Sequence, residues 1–172
     1  MSIRTVVDSE TLEANKAVVR RYFEEGVNQA SPTVIDEIIA IDAVDETRGP
    51  DAATLGREGF RQHAAWLAAT ADNVRTTVTE LVAEGDRVVA FWTISGYAKG
   101  LVFGVPGNGR YFEGISISSF TIRDGLVTRY SVLPDRLGVI AQLTAADDTA
   151  AGTVGDSDTA DEEPVATGQV AR

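Results

Sequence analysis

The hydrophobic spacing of this chain changes once, near Asn73, from a period of three to four residues to a period of two. Helical spacing before that point and strand alternation after it put helices first and a meander of strands second. Such helices must bury their apolar stripes against one face of the sheet, which defines an α+β layer architecture.

The helical half divides into three. Val18 and Tyr22 lie four apart, as do Val19, Phe23 and Val27, so one stripe runs along a helix expected over about Thr11 to Asn28. Ser31-Pro32 reads as an N-cap followed by proline at the first helical position. The second helix that follows turns Ile35, Ile38 and Ile39 inward and is expected to stop near Asp42. Residues 43–55, with Gly49 and Pro50, read as a loop or a short irregular strand. A third helix is expected from near Arg57 to about Thr70, with Phe60, His63, Ala64 and Leu67 on one face and Trp66 at its edge.

The strand half is clearer. Val74, Thr76 and Val78 alternate with Arg75, Thr77 and Thr79. Glu84-Gly85-Asp86 is a turn, and Arg87 to Ala98 is a long strand rich in β-branched and aromatic residues. Lys99 to Arg110 holds four glycines and a proline and reads as a loop. Tyr111 to Ile122 and Leu126 to Leu133 are strands joined by an Asp-Gly hairpin turn at Asp124-Gly125. Pro134 ends the last strand, and Asp135 opens a short closing helix. The expected fold is a cone-shaped α+β barrel, in which a strongly curved antiparallel sheet is closed by three N-terminal helices around an internal pocket.

Charge and composition set limits on function. The net charge of the 172 residues is −11, and residues 144–172 hold seven acids against the single base Arg172. An acidic chain repels phosphate backbones, so a nucleic-acid partner is not expected. The same stretch has no aromatic residue and too little apolar surface to offset the entropy of ordering it, so it reads as a disordered acidic tail. Residues 1–10 read as a flexible N-terminus, leaving 11–143 as the folded domain. There is no cysteine, which excludes disulfides, thiolate metal sites and a cysteine nucleophile. No apolar run approaches the ~20 residues that span a bilayer, and Met1 to Thr11 lacks a secretory pattern, so no membrane partner and a cytoplasmic location are expected.

Four stretches carry a family resemblance. They are Asn15 to Glu25, Gly56-Arg57-Glu58-Gly59-Phe60, the loop Gly104-Val105-Pro106-Gly107-Asn108-Gly109-Arg110, and the ending Pro134-Asp135-Arg136-Leu137-Gly138-Val139-Ile140-Ala141-Gln142-Leu143. In order and spacing the chain resembles the SnoaL-like polyketide cyclases, or ester cyclases, of the nuclear transport factor 2-like superfamily. The resemblance implies ring closure by intramolecular aldol addition on a small hydrophobic, polyketide-derived substrate, with no metal and no organic cofactor. It also implies face-to-face pairing of sheets into a homodimer, for which the alternating stretch Ile115 to Phe120 could supply the surface, and a setting in biosynthetic gene clusters.

The resemblance places the family's acid/base aspartate at Asp135, and the plainer reading of Asp135 is an N-cap for the closing helix. As a base it would need burial to raise its pKa towards neutrality. Three polar positions of the usual cyclase differ: Asp45 is followed by Glu46 rather than histidine, Ala98 stands in the Gly96 to Gly100 pattern where a histidine is common, and Ser131 follows Tyr130 where an acid is common. Glu46 is a candidate second carboxylate. His63, the one histidine, is either a wall residue with one hydrogen bond or a proton shuttle. Tyr22, Trp66, Trp92, Tyr97, Phe103 and Tyr130 are candidates to line the pocket, with Tyr111 and Phe112 further aromatics of the same strands, though aromatic residues also dominate ordinary cores. Glu113 is a candidate carboxylate if it points inward. Three functions stay open: a cyclase or isomerase using Asp135; an epoxide hydrolase, which needs Asp135 with Glu113 or Glu46 and an inward arginine; and a non-catalytic protein that binds a ligand or partner, favoured if Asp135 faces solvent.

Overall fold

A computed structural model describes residues 8–47 and 56–146. Helix α1, Ser9–Arg21, is capped by Asp8, whose carboxylate accepts the Thr11 N–H at 2.7 Å. The chain then winds more loosely: Tyr22–Val27 is π-helical, and Asn28 N donates to Phe23 O at 3.0 Å. Short π-helical stretches occur often at functional sites. Helix α2, Pro32–Ile38, begins as expected, with the Ser31 hydroxyl accepting the Val34 N–H.

The second helix is shorter than the spacing predicts. Residues Ile39–Asp45 form strand β1 instead of completing the helix to Asp42. The β-branched run Ile38, Ile39, Ile41 and Val44 is stiff at χ1 and suits a pleated surface better than a helix. β1 also satisfies an edge that would otherwise stand open, because it pairs in parallel with the last strand. Helix α3, Gly56–Thr70, packs on it. Gly56 has φ +55°, and a Cβ there would lie 2.3 Å from Ile41 O, so only glycine allows this start.

The meander follows: β2 Ala71–Glu84, β3 Arg87–Ala98, β4 Tyr111–Arg123 and β5 Leu126–Pro134, each antiparallel to the next. The β4–β5 connection is the expected two-residue turn, with Asp124 and Gly125 both at positive φ. Helix α4, Arg136–Thr144, closes the chain, capped by Asp135, which accepts the Gly138 N–H at 2.9 Å. The sheet order is β1-β5-β4-β3-β2. β1 and β2 are its edges and do not pair, so the helices, not a closed ladder, complete the cone.

The inner face of the sheet carries two apolar clusters. The larger joins Val19, Phe23, Ile35, Ile39 and Phe60 of the helical side and β1 to Val88, Phe120 and Val127 of the sheet. The smaller gathers Ala71, Ala98, Val102 and Phe112 under Val139 and Leu143 of α4. The loop after β3 folds onto α4: Asn108 donates to Leu143 O at 2.8 Å, and the Arg136 guanidinium lies over the Phe103 ring. The N-terminal residues 1–7, residues 48–55 and the acidic stretch 147–172 lie outside the described residues, so the expectations made for them are not addressed by this structure.

Candidate functional site

Six aromatic rings meet inside the cone. Tyr22 is in edge contact with Phe23, Phe60 and Phe120, and its ring lies 6.0 Å from that of Tyr130. Trp92 stacks obliquely on Phe23 at 4.9 Å, and Phe120 touches Tyr130 at 5.0 Å. Tyr22 and Phe23 come from the π-helical segment and the other four rings from α3, β3, β4 and β5, so five elements converge here.

A polar thread runs through these rings. The Trp92 indole N–H donates to Ser118 Oγ at 2.9 Å, and Ser118 Oγ lies 3.5 Å from the Tyr130 hydroxyl. Burial pushes the Tyr22 phenol well above its ordinary pKa, and the nearby charges of Tyr130 and Asp45 push it further. Burial likewise raises Tyr130; hydrogen bonds from Ser118 and Tyr22 oppose the shift and Asp45 adds to it. Both phenols therefore keep their protons through neutral pH and act as hydrogen-bond donors.

Asp45 is the carboxylate whose charge acts on both phenols. It ends β1 directly across the ladder from Tyr130, and it is half-buried. One of its oxygens accepts the Thr47 N–H at 2.9 Å. The local backbone is held on both sides: Glu46 N donates to Tyr130 O at 2.8 Å, and Val132 N donates to the Thr47 hydroxyl at 3.1 Å.

The other candidate residues stand apart. Asp135 is exposed and caps α4. Glu46 is exposed and ion-paired to Arg129. Glu113 is exposed, where it accepts the Tyr111 hydroxyl at 2.9 Å and its backbone pairs with Gln142. His63 is half-buried on α3 with its ring 5.9 Å from Trp66, and Trp66 is exposed. Tyr97 lies on the outer face of the sheet against Tyr111. Phe103 belongs to the loop over α4. Of the proposed lining residues the structure brings together Tyr22, Trp92 and Tyr130. Sequence reasoning passed over Asp45 and Ser118 as site residues. The signal for Asp45 was available, since it precedes Glu46 where the family commonly has an Asp-His pair. The signal for Ser118 was a serine on the inward phase of a strand.

A surface cleft of about 540 Å³ lies at the other end, between α1 and the two hairpin turns. Asp8, Glu10, Asp86 and Asp124 line it, and none of the six rings does. Among the described residues no group of three or more metal-ligating side chains gathers, and no helix is long and apolar enough to cross a membrane.

The fold is a helix-lidded cone with an aromatic interior threaded by hydroxyls and flanked by one aspartate. The family of SnoaL-like polyketide cyclases matches residues 17–143, and the chain belongs to that family. Among solved structures it is similar to TsrD from Streptomyces laurentii, with 28% identity, TM-score 0.71, and coverage of 81% of this chain and 99% of that one. A candidate SnoaL-like polyketide cyclase from Jannaschia sp. CCS1 matches with TM-score 0.72 at 24% identity, covering 82% and 99%. IdmH, a candidate polyketide cyclase from Streptomyces antibioticus, matches with TM-score 0.66 at 24% identity, covering 76% and 99%. At that identity the last two establish the fold alone. No curated protein matches the chain.

Proposed function

We propose that the chain is a cofactor-independent cyclase or isomerase, acting on a small hydrophobic substrate that carries a carbonyl group, with Asp45 as its acid/base. The observation that supports this reading is the position of half-buried Asp45 across the ladder from Tyr130, at the edge of the aromatic interior. The Asp45 carboxylate removes a proton from a carbon beside the carbonyl. The resulting enolate carbon attacks a second carbonyl carbon of the same molecule, one C–C bond forms, and the alkoxide oxygen takes up the proton. Tyr130 accepts from Ser118, so its own proton is the one given to a developing oxyanion, where a positioned donor lowers the barrier. His63 and Glu46 take no part in this scheme.

Asp135 keeps the position that resembles the family's acid/base residue, so the two aspartates are tested side by side. The probe is 2-tetralone, a two-ring ketone with an acidic C–H beside its carbonyl. Its exchange of that hydrogen for deuterium in heavy water is followed by proton NMR. The protein is expected to accelerate exchange. Asp45→Asn should lose about 10²-fold or more of that acceleration, in line with the usual contribution of a positioned base, while Asp135→Asn keeps it. The reverse pattern moves the base to Asp135. The solvent-facing position of Asp135 favours the second reading, a binding protein without catalysis, and no acceleration by the parent protein despite ketone binding would establish it. Glu46, Glu113 and Asp135 are all exposed, so the two inward carboxylates required of an epoxide hydrolase are not assembled among the described residues.

The outer face of the sheet supports pairing into a homodimer. Ile115, Ile117 and Leu133 are exposed there, and Ile117 pairs with Leu133 across the ladder. An exposed apolar patch of this kind marks an association surface.

A further inference from the structure

The inner face of β4 is made of small residues where the two apolar clusters meet: Gly114, Ser116 and Ser118. Two of the three have an evident reason. Gly114 is small because α4 sits on it; a Cβ there would come within 2.6 Å of Val139 Cγ2. Ser118 is small and polar because it links Trp92 to Tyr130. Ser116, between them, has neither reason. It is 2% exposed, and its hydroxyl has no hydrogen-bond partner among the described residues.

Its two ladder neighbours offer it no N–H. Across the ladder Ser116 faces Trp92 on one side and Pro134 on the other. The Trp92 indole N–H is already given to Ser118, and proline has no N–H to give. A buried hydroxyl left without a partner costs free energy, and alanine would occupy the place without that cost. Such a group fits a ligand that completes it.

We infer that Ser116 is a substrate-binding residue, whose hydroxyl donates to a carbonyl oxygen and so selects a keto-bearing ligand over a hydrocarbon of the same shape. The inference rests on the reading of the cone's interior as a site for a hydrophobic carbonyl substrate. Side chains two apart on one strand face are separated by roughly 7 Å. An oxygen held at Ser116 is therefore separate from the oxygen that meets the Tyr130 hydroxyl, and a substrate with two carbonyls would place one at each; 2-tetralone, with one carbonyl, reports on Ser116 through affinity alone.

The test compares 2-tetralone with tetralin, which has the same two rings and no carbonyl, by titration calorimetry on the full chain. The parent protein is expected to bind the ketone roughly 5-fold more tightly, the ratio that one added hydrogen bond of ordinary strength confers. Ser116→Ala should erase that preference by weakening the ketone alone, and should melt no lower than the parent. Ser116→Thr, which keeps the hydroxyl, should retain the preference. A preference that survives in Ser116→Ala overturns the role of Ser116 and leaves the interior site standing. So does a lowered melting temperature with unchanged ketone affinity, which marks a structural hydroxyl. If neither ligand binds, the interior reading itself falls and the role of Ser116 with it.

Discussion

The two faces of β4 are reversed from the usual order. A half-buried strand turns apolar residues inward and polar ones outward. Here Ser116 and Ser118 point inward, 2% and 0% exposed, while Ile115 and Ile117 point outward, 66% and 43% exposed. Ser118 has its partners in Trp92 and Tyr130, but Ser116 and the two isoleucines do nothing for an isolated folded chain. Buried hydroxyls must be matched by partners, and exposed isoleucines leave apolar surface in water. The inversion makes sense if the inner face receives a polar atom of a ligand and the outer face meets another protein surface.

The comparison can be broken at several points. Phe120 ends the inner series, fully buried against Tyr22, Phe23 and Tyr130. Phe120→Ala should cost about 3–5 kcal/mol in denaturant unfolding, the usual range for a core phenylalanine. A loss under 1 kcal/mol would mean that the aromatic cluster is not a packed core.

The phenols of the inner face make a pH prediction. Both have pKa values raised in the folded chain, chiefly by burial. Unfolded tyrosines ionise near pH 10, so the folded state holds protons that the unfolded state releases. The stability they contribute is full below about pH 10 and falls as the pH rises past it towards the raised folded values. Tyr130→Phe should flatten that alkaline decline, as measured by urea unfolding at pH 8 and pH 11. An equal decline in both proteins would locate the effect elsewhere.

Asp135 stands at the end of β5, away from the inner hydroxyls. As a cap, Asp135→Ala should lower stability by ~1 kcal/mol, seen as a lower melting temperature. Asp135→Asn should lose little, because asparagine caps as well. A large loss in both would show that Asp135 does more than cap. The outer face gives the smallest effect on folding. Ile115→Ser with Ile117→Ser should change the stability of the single chain by less than about 0.5 kcal/mol per site, as exposed substitutions do. Yet it should halve the mass seen by sedimentation equilibrium. An unchanged mass would remove the outer face as a pairing surface.

Much of the fold was legible in the sequence. Alternation placed β3 at Arg87–Ala98 without error, and the Asp-Gly turn fixed where β4 meets β5. Caps at Ser31 and Asp135 were readable because capping is a local contact between residues three apart. β1 was hidden, since its strand state depends on an edge of β5 some 90 residues away. The site was legible only in part. Tyr22, Trp92 and Tyr130 were recognisable as candidates, but Tyr97 has the same chemistry and lies on the other face. Asp45 had one local signal, its place before Glu46, but its pairing with Tyr130 is a contact across the sheet that no local pattern records.

Intermolecular Overhauser contacts in NMR between bound 2-tetralone and the protein's methyl groups locate the ligand. Val132 packs on the inner cluster and Val139 covers Gly114, whereas Ile115, Ile117 and Leu133 project outward. With the ligand inside the cone, contacts to Val132 and Val139 are expected. Contacts confined to Ile115, Ile117 and Leu133 would contradict that placement.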